Sequence, residues 1–196
     1  MDQDNLFRTL LLIGFAIIVP LAAYYRVRSQ SSKEKLDRSQ EGLFLLVGIR
    51  LFGFLTMAGL IAFLVNPQYM HWSALSFPVW LRWVGIAWGI CAGFLWMWTF
   101  SHLGKNLTDT VVTRKEHTLV TSGPYHWVRH PFYVSIALLI FANTLATANW
   151  FIFAASFCTF VLLVIRTEKE ETKLIERFGD DYRNYMKRTG KFIPKV

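Results

Sequence analysis

Apolar residues in this chain come in long blocks, not at the spacing of an amphipathic helix or strand. Four stretches with few or no charges, residues 9–25, 42–65, 79–102 and 131–165, alternate with polar segments. A membrane-spanning helix needs about 20 mostly apolar residues. The blocks therefore predict helices over residues 6–25, 42–65 and 79–101. The short alternating segments of a transmembrane β-barrel are missing. Residues 131–165 number 35 and include no Asp, Glu, Lys or Arg. As one helix they would span about 52 Å, well past a hydrocarbon core of about 30 Å. Residues 143–149 of that block, Asn-Thr-Leu-Ala-Thr-Ala-Asn, are polar and turn-prone, so the block reads as a helical hairpin with two short arms. The expected fold is an all-α integral membrane protein of about five transmembrane helices, the last two a hairpin. One membrane domain covers 1–196: three helices in 1–102, and in 103–196 a polar loop, the hairpin and an amphipathic tail.

Charge orients this arrangement. The net charge is +8, and of 21 Lys and Arg, five lie in 26–42, four in 103–129 and nine in 166–196, while 66–78 has none. Lys and Arg in short loops mark the cytoplasmic side. The N-terminus is then outside, and the basic loops and C-terminus are cytoplasmic, beside anionic headgroups. That placement argues against nucleic acid as the partner of the basic charge. The host membrane is the plasma (inner) membrane in a bacterium and the endoplasmic reticulum in a eukaryote.

Other features read as membrane architecture. The N-terminal apolar run is followed by Tyr24-Tyr25-Arg26 and not by a small-residue cleavage site, so it reads as a first helix that tolerates Pro20. Arg50 lies about two turns inside the second helix, where snorkelling to headgroups competes with a role in a site. Tyr69, His71, Trp72, Phe77 and Trp80 form an interfacial belt. Gly85, Gly89 and Gly93 give the third helix a close-packing face, within the chain or between copies. Cys91 and Cys158 sit in apolar blocks without metal-ligand spacing and read as small buried hydrophobes. No metal site is expected.

Two stretches carry candidate chemistry. The first runs from His117 through Gly123-Pro124-Tyr125 to Arg129-His130-Pro131-Phe132-Tyr133. Gly-Pro fixes a turn, Pro131 suits the first turn of a helix, and the rings could stack on a flat group. Basic and aromatic residues also belong to any membrane interface. The second is Arg166-Thr167-Glu168-Lys169-Glu170-Glu171, where Arg166 and Glu170, spaced i and i+4, share a helix face. Alone it could be an exposed ion pair of little energetic weight. The hairpin brings both stretches to one cytoplasmic edge.

The paired text, His-x-Leu-Val-x-x-Gly-x-Tyr-x3-Arg-His-Pro-x-Tyr followed by Arg-Thr-x-x-Glu-Glu-x2-Leu-Ile-x2-Phe-Gly-x2-Tyr-x2-Tyr, resembles the isoprenylcysteine carboxyl methyltransferase family, among the membrane-embedded phospholipid methyltransferases. The resemblance covers residues 104–196. It implies an S-adenosylmethionine-dependent methyltransferase acting on the carboxylate of a lipophilic substrate, such as an S-prenylated cysteine, that enters from the bilayer. It assigns the cofactor to His117, Thr118, Leu119, Val120, Tyr125, His130, Pro131, Phe132, Tyr133 and Glu170, and the substrate to Arg166. Arg166 and Glu170 are then the catalytic pair. Thr110 stands where the family often has an amide, and no role is carried onto it. A carboxylate is already ionised at pH 7, so this chemistry demands positioning rather than a base. Three alternatives stay open: a phospholipid N-methyltransferase, an NADPH-dependent sterol reductase-like protein sharing the Arg-His-Pro-x-Tyr element, and a non-catalytic scaffold. Oligomeric state is left open.

Overall fold

A computed structural model describes residues 3–29, 42–103 and 118–195. The proposed cofactor residue His117, Thr110 and the possible extended piece 111–113 lie outside the described residues. The described residues form α1 (Gln3–Ser29), α2 (Leu43–Val65), a 3-10 helix (Pro67–Ser73), α3 (Val79–Leu103), α4 (Pro124–Trp127), α5 (Pro131–Thr147), α6 (Trp150–Phe178) and α7 (Asp180–Arg188). Among them no strand forms. Four helices, α1, α2, α3 and α6, are long and apolar enough to cross a membrane, and α5 is a shorter apolar helix of 17 residues. At 1.5 Å per residue α5 reaches only about 25 Å.

Side-chain size sets the pairing of helices. A Cβ on Gly85 would stand 2.7 Å from the backbone nitrogen of Ala146 and 2.9 Å from the Ala142 carbonyl oxygen, so α3 and α5 meet backbone to backbone. One turn along, Gly89 faces the Ala142 methyl, and Gly93 faces Ile18 of α1. The small-residue face is thus used within the chain. On the other side α2 packs on α6: Gly59 lies against Phe151 and Ile152, and Gly48 against Leu162. The outward faces stay apolar, with Phe44, Val47, Leu51, Phe54, Trp83, Trp88, Ile90 and Phe94 all exposed. Such faces suit lipid and not water.

The hairpin expected in 131–165 is present, but its turn is tighter and later than the polar stretch 143–149 suggested. Thr144 and Thr147 return their hydroxyls to the Ile140 and Asn143 carbonyls, which satisfies both polar groups within the helix. Only Ala148, left-handed at φ 48°, and Asn149 leave the helix. The Asn149 side chain caps α6 at Ile152 N and donates to Met70 O and Ser73 Oγ, pinning the tip to the 3-10 helix. The charged tail does not begin a new helix at Arg166. The same 29-residue α6 runs on to Phe178, and the chain breaks at Gly179, with φ 54°.

Three residues of the apolar blocks stand apart; of these Cys91 departs from its sequence reading, and Arg50 agrees with snorkelling. Arg82 is buried: Nη1 meets Asp4 Oδ1 at 2.7 Å, Nε donates to Ala146 O at 3.0 Å, and the guanidinium lies 4.1 Å above the Phe7 ring. A charge in this position has to be paired, and here it ties α1 to α3 and α5. Cys91 is exposed on the outward face of α3 and not buried. Arg50 is exposed on α2 among outward residues Val47, Leu51 and Phe54, the orientation that snorkelling requires.

Candidate functional site

Gly123, with φ 60° and ψ −134°, turns the chain into the single helical turn α4; a Cβ there would meet the His102 ring at 2.5 Å, so the turn sits hard against the end of α3. Thr118, Leu119 and Val120 form the irregular lead-in to it. Val128 then bridges in parallel to Gly190, with Arg129 N donating to Gly190 O at 2.8 Å and His130 N to Lys191 O at 3.1 Å. A C-terminal strap, residues 189–192, thereby lies along the entry to α5. His130 caps that helix and Pro131 opens it, fully buried.

On α6, past the apolar run, Arg166, Thr167 and Glu171 are buried. Arg166 Nε stands 3.2 Å from Glu170 Oε1. The Tyr133 hydroxyl donates to the same Glu170 oxygen at 2.6 Å. Glu171, one residue on, diverges to other partners: Arg129 Nε at 2.8 Å and His130 Nε2 at 3.1 Å. The two adjacent carboxylates thus hold the N-terminus of α5 from two sides. Phe132 stacks edge-on against Phe100 of α3 and Tyr133. Tyr125 accepts a hydrogen bond from the Tyr185 hydroxyl at its carbonyl. Burial first, then the charges of Tyr185 and Glu170, push the Tyr125 hydroxyl well above the usual phenol range. Burial likewise pushes the Tyr185 hydroxyl up to about 12, so it is a neutral donor at any physiological pH.

The structure therefore brings Tyr125, His130, Tyr133, Arg166 and Glu170 to one end of the helix bundle, with Pro131 and Phe132 supporting them. Sequence reasoning gave no role to Arg129, Glu171, Tyr185 or Lys191. Arg129 and Glu171 were visible as neighbours of proposed site residues. Tyr185 was visible only as the last letter of the quoted motif, and Lys191 carried no signal, because the strap and α7 folding back place them here. In chemical terms the described site residues include two guanidiniums with little exposure, Arg166 beside Glu170 and Arg129 on Glu171, next to imidazole and phenol groups at the edge of an apolar bundle.

The model of the isoprenylcysteine carboxyl methyltransferase family matches residues 83–176. A protein-S-isoprenylcysteine O-methyltransferase of Rattus norvegicus is 34% identical over 137 residues, 66% of this chain and 46% of the rat protein. A methanethiol S-methyltransferase of Pseudomonas deceptionensis is 36% identical over 72 residues, 37% of this chain and 27% of that protein. The chain spans about half the length of the rat, mouse and human relatives it matches. A solved structure of the eukaryotic intramembrane Ras methyltransferase, an isoprenylcysteine carboxyl methyltransferase, shares the fold, with a TM-score of 0.53 at 23% identity over 97% of this chain and 63% of that one. These are the names of methyltransferases. Motif text, family model and membrane fold agree, and over residues 83–176 the chain is similar to the isoprenylcysteine carboxyl methyltransferase family.

Proposed function

We propose that this chain is an S-adenosylmethionine-dependent methyltransferase acting on the carboxylate of a lipophilic acceptor, of which an S-prenylated cysteine is the type. The observation that carries this reading is the pair of buried Arg166 and half-buried Glu170, 3.2 Å apart, set against Tyr133 and His130 where apolar helices meet polar chain. The donor set fits the cofactor: Glu170, the His130 ring and the Tyr125 and Tyr133 rings suit a cationic amino group and a flat base. Thr118, Leu119, Val120, Tyr125, His130, Pro131, Phe132, Tyr133 and Glu170 would hold it, joined by His117 from the family motif. When bound, it supplies an electrophilic methyl group on a sulfonium.

The chain's own residues hold and orient. Glu170 accepts from the cofactor while Tyr133 keeps its carboxylate in place. Arg166 binds the acceptor carboxylate through a charge-assisted hydrogen bond and sets its oxygen near the 3–3.5 Å needed for attack. An ionised carboxylate needs no general base. The acceptor's apolar tail enters sideways from the bilayer, and the cofactor enters from the cytoplasm. A second reading, a thiolate acceptor beside Arg166, has the match to a methanethiol S-methyltransferase in its favour.

A methyl-transfer assay in detergent or nanodiscs with N-acetyl-S-farnesylcysteine, a small thiol and an amine phospholipid as parallel acceptors tests this. We expect a methyl ester from the first, and loss of it in Arg166→Ala and Glu170→Ala. Methylation of the phospholipid alone, or normal turnover in both variants, overturns the assignment; methylation of the thiol alone selects the second reading.

A further inference from the structure

We infer that Glu171 is a positioning residue that, with the C-terminal strap, fixes the tautomer of His130 so that its Nδ1 lone pair and the Glu170 carboxylate face one cationic group of the methyl donor together. The inference rests on the methyl-donor reading for its ligand, and on geometry alone for the histidine. Glu171 Oε1 lies 3.1 Å from His130 Nε2. A carboxylate only accepts, so Nε2 carries the hydrogen. In the neutral ring Nδ1 is then a bare acceptor, and it lies 3.8 Å from Glu170 Oε2. Two acceptors facing each other leave room only for a donor.

The ring has little freedom to turn away. His130 is 6% exposed. The Tyr133 ring lies 5.5 Å from it on one side and the strap's Phe192 ring 5.7 Å on another. Its backbone nitrogen is tied to Lys191 O. Glu171 in turn is held by Arg129 Nε at 2.8 Å and faces Lys191 Nζ at 3.8 Å, while the Arg129 guanidinium also donates to Met186 O at 3.4 Å and to Thr189 O. Glu171 therefore joins α6, the entry to α5 and the strap at one carboxylate. A second carboxylate beside the ligand-binding one thus acts through His130, in the way outer partners fix the tautomer of a ligating histidine.

The test is nitrogen-15 NMR of histidine-labelled protein in nanodiscs, with the His130 signals assigned by difference from His130→Gln. Without donor at pH 7, wild type should show the Nε2–H tautomer. Glu171→Ala should show mixed tautomers and bind S-adenosylhomocysteine about tenfold more weakly, the cost of one charge-assisted hydrogen bond. Lys191→Met, which leaves the Glu171–His130 contact intact, should weaken binding less than threefold. A wild-type Nδ1–H tautomer or imidazolium at pH 7 overturns the inference, and so does unchanged affinity in Glu171→Ala. The wild-type spectrum decides even if that variant does not fold. Wild type that keeps the Nε2–H tautomer but binds no S-adenosylhomocysteine would sink the methyl-donor reading and leave the orientation of His130 standing.

Discussion

Glu170 and Glu171 are neighbours in sequence that serve different partners. Successive helical positions point about 100° apart, so Glu170 reaches Tyr133 and Arg166 while Glu171 reaches Arg129 and His130. The i, i+4 spacing made the Arg166–Glu170 pair legible in sequence. The work of Glu171 was not, because its partners lie 41 and 42 residues away and depend on how the hairpin closes. The same holds for Lys191, a surface lysine on any sequence reading. Tyr133 offers the sharpest single-atom test. Its hydroxyl makes a 2.6 Å bond to a carboxylate, and such bonds contribute about 1.5–3 kcal/mol. Tyr133→Phe keeps the ring and removes only that donor. Titration calorimetry should show S-adenosylhomocysteine binding weakened about tenfold, the effect of 1.4 kcal/mol, with helical circular dichroism unchanged. Affinity equal to wild type would separate Glu170's orientation from Tyr133.

Among the elements, hydropathy revealed where helices are and missed where they stop. Residues 131–165 were readable as a hairpin from length and the polar letters of 143–149 together, but those letters gave a range and not the turn itself, since threonine hydroxyls can bond back into their own helix. The end of the apolar run at Ile165 was likewise not the end of α6, because Arg166, Thr167 and Glu171 turn inward and find partners. The glycine face of α3 was legible as a packing face without its partner. That partner is now α5, at Gly85. Gly85→Leu must push α3 from α5, since its Cβ alone would be 2.7 Å from backbone. Overpacking of this kind costs about 1–3 kcal/mol or more, and the thermal midpoint in detergent should fall by several degrees. Gly14, with nothing within 4 Å of its would-be Cβ, is the control. Gly14→Leu should leave the midpoint in place, and equal losses from both would show that lipid contact and not α3–α5 packing sets the sensitivity.

At the scale of the molecule the two ends differ in charge, and that asymmetry predicts a direction in the membrane. One end joins the 3-10 helix to the hairpin tip through Asn149, and residues 66–78 there hold no Lys or Arg. The arginines near that end are neutralised or tied inward: Arg82 on Asp4, Arg8 on the Leu64 carbonyl. The other end carries the site, and residues 182–196 there include five Lys and Arg and no Asp or Glu. Inserting proteins leave such clusters on the cytoplasmic side, where anionic lipid attracts them at about 1 kcal/mol per residue near the surface. With Cys91 and Cys158 replaced by serine, single cysteines at Gln68 and Arg183, both exposed, report the two ends. An impermeant maleimide on intact cells, or on sealed right-side-out vesicles for an internal membrane, should label Gln68→Cys at once and Arg183→Cys only after permeabilisation. The reverse pattern would invert the topology and place the Arg166–Glu170 site away from the cytoplasm, so the assay decides whether the charge on this chain or some stronger signal sets its direction.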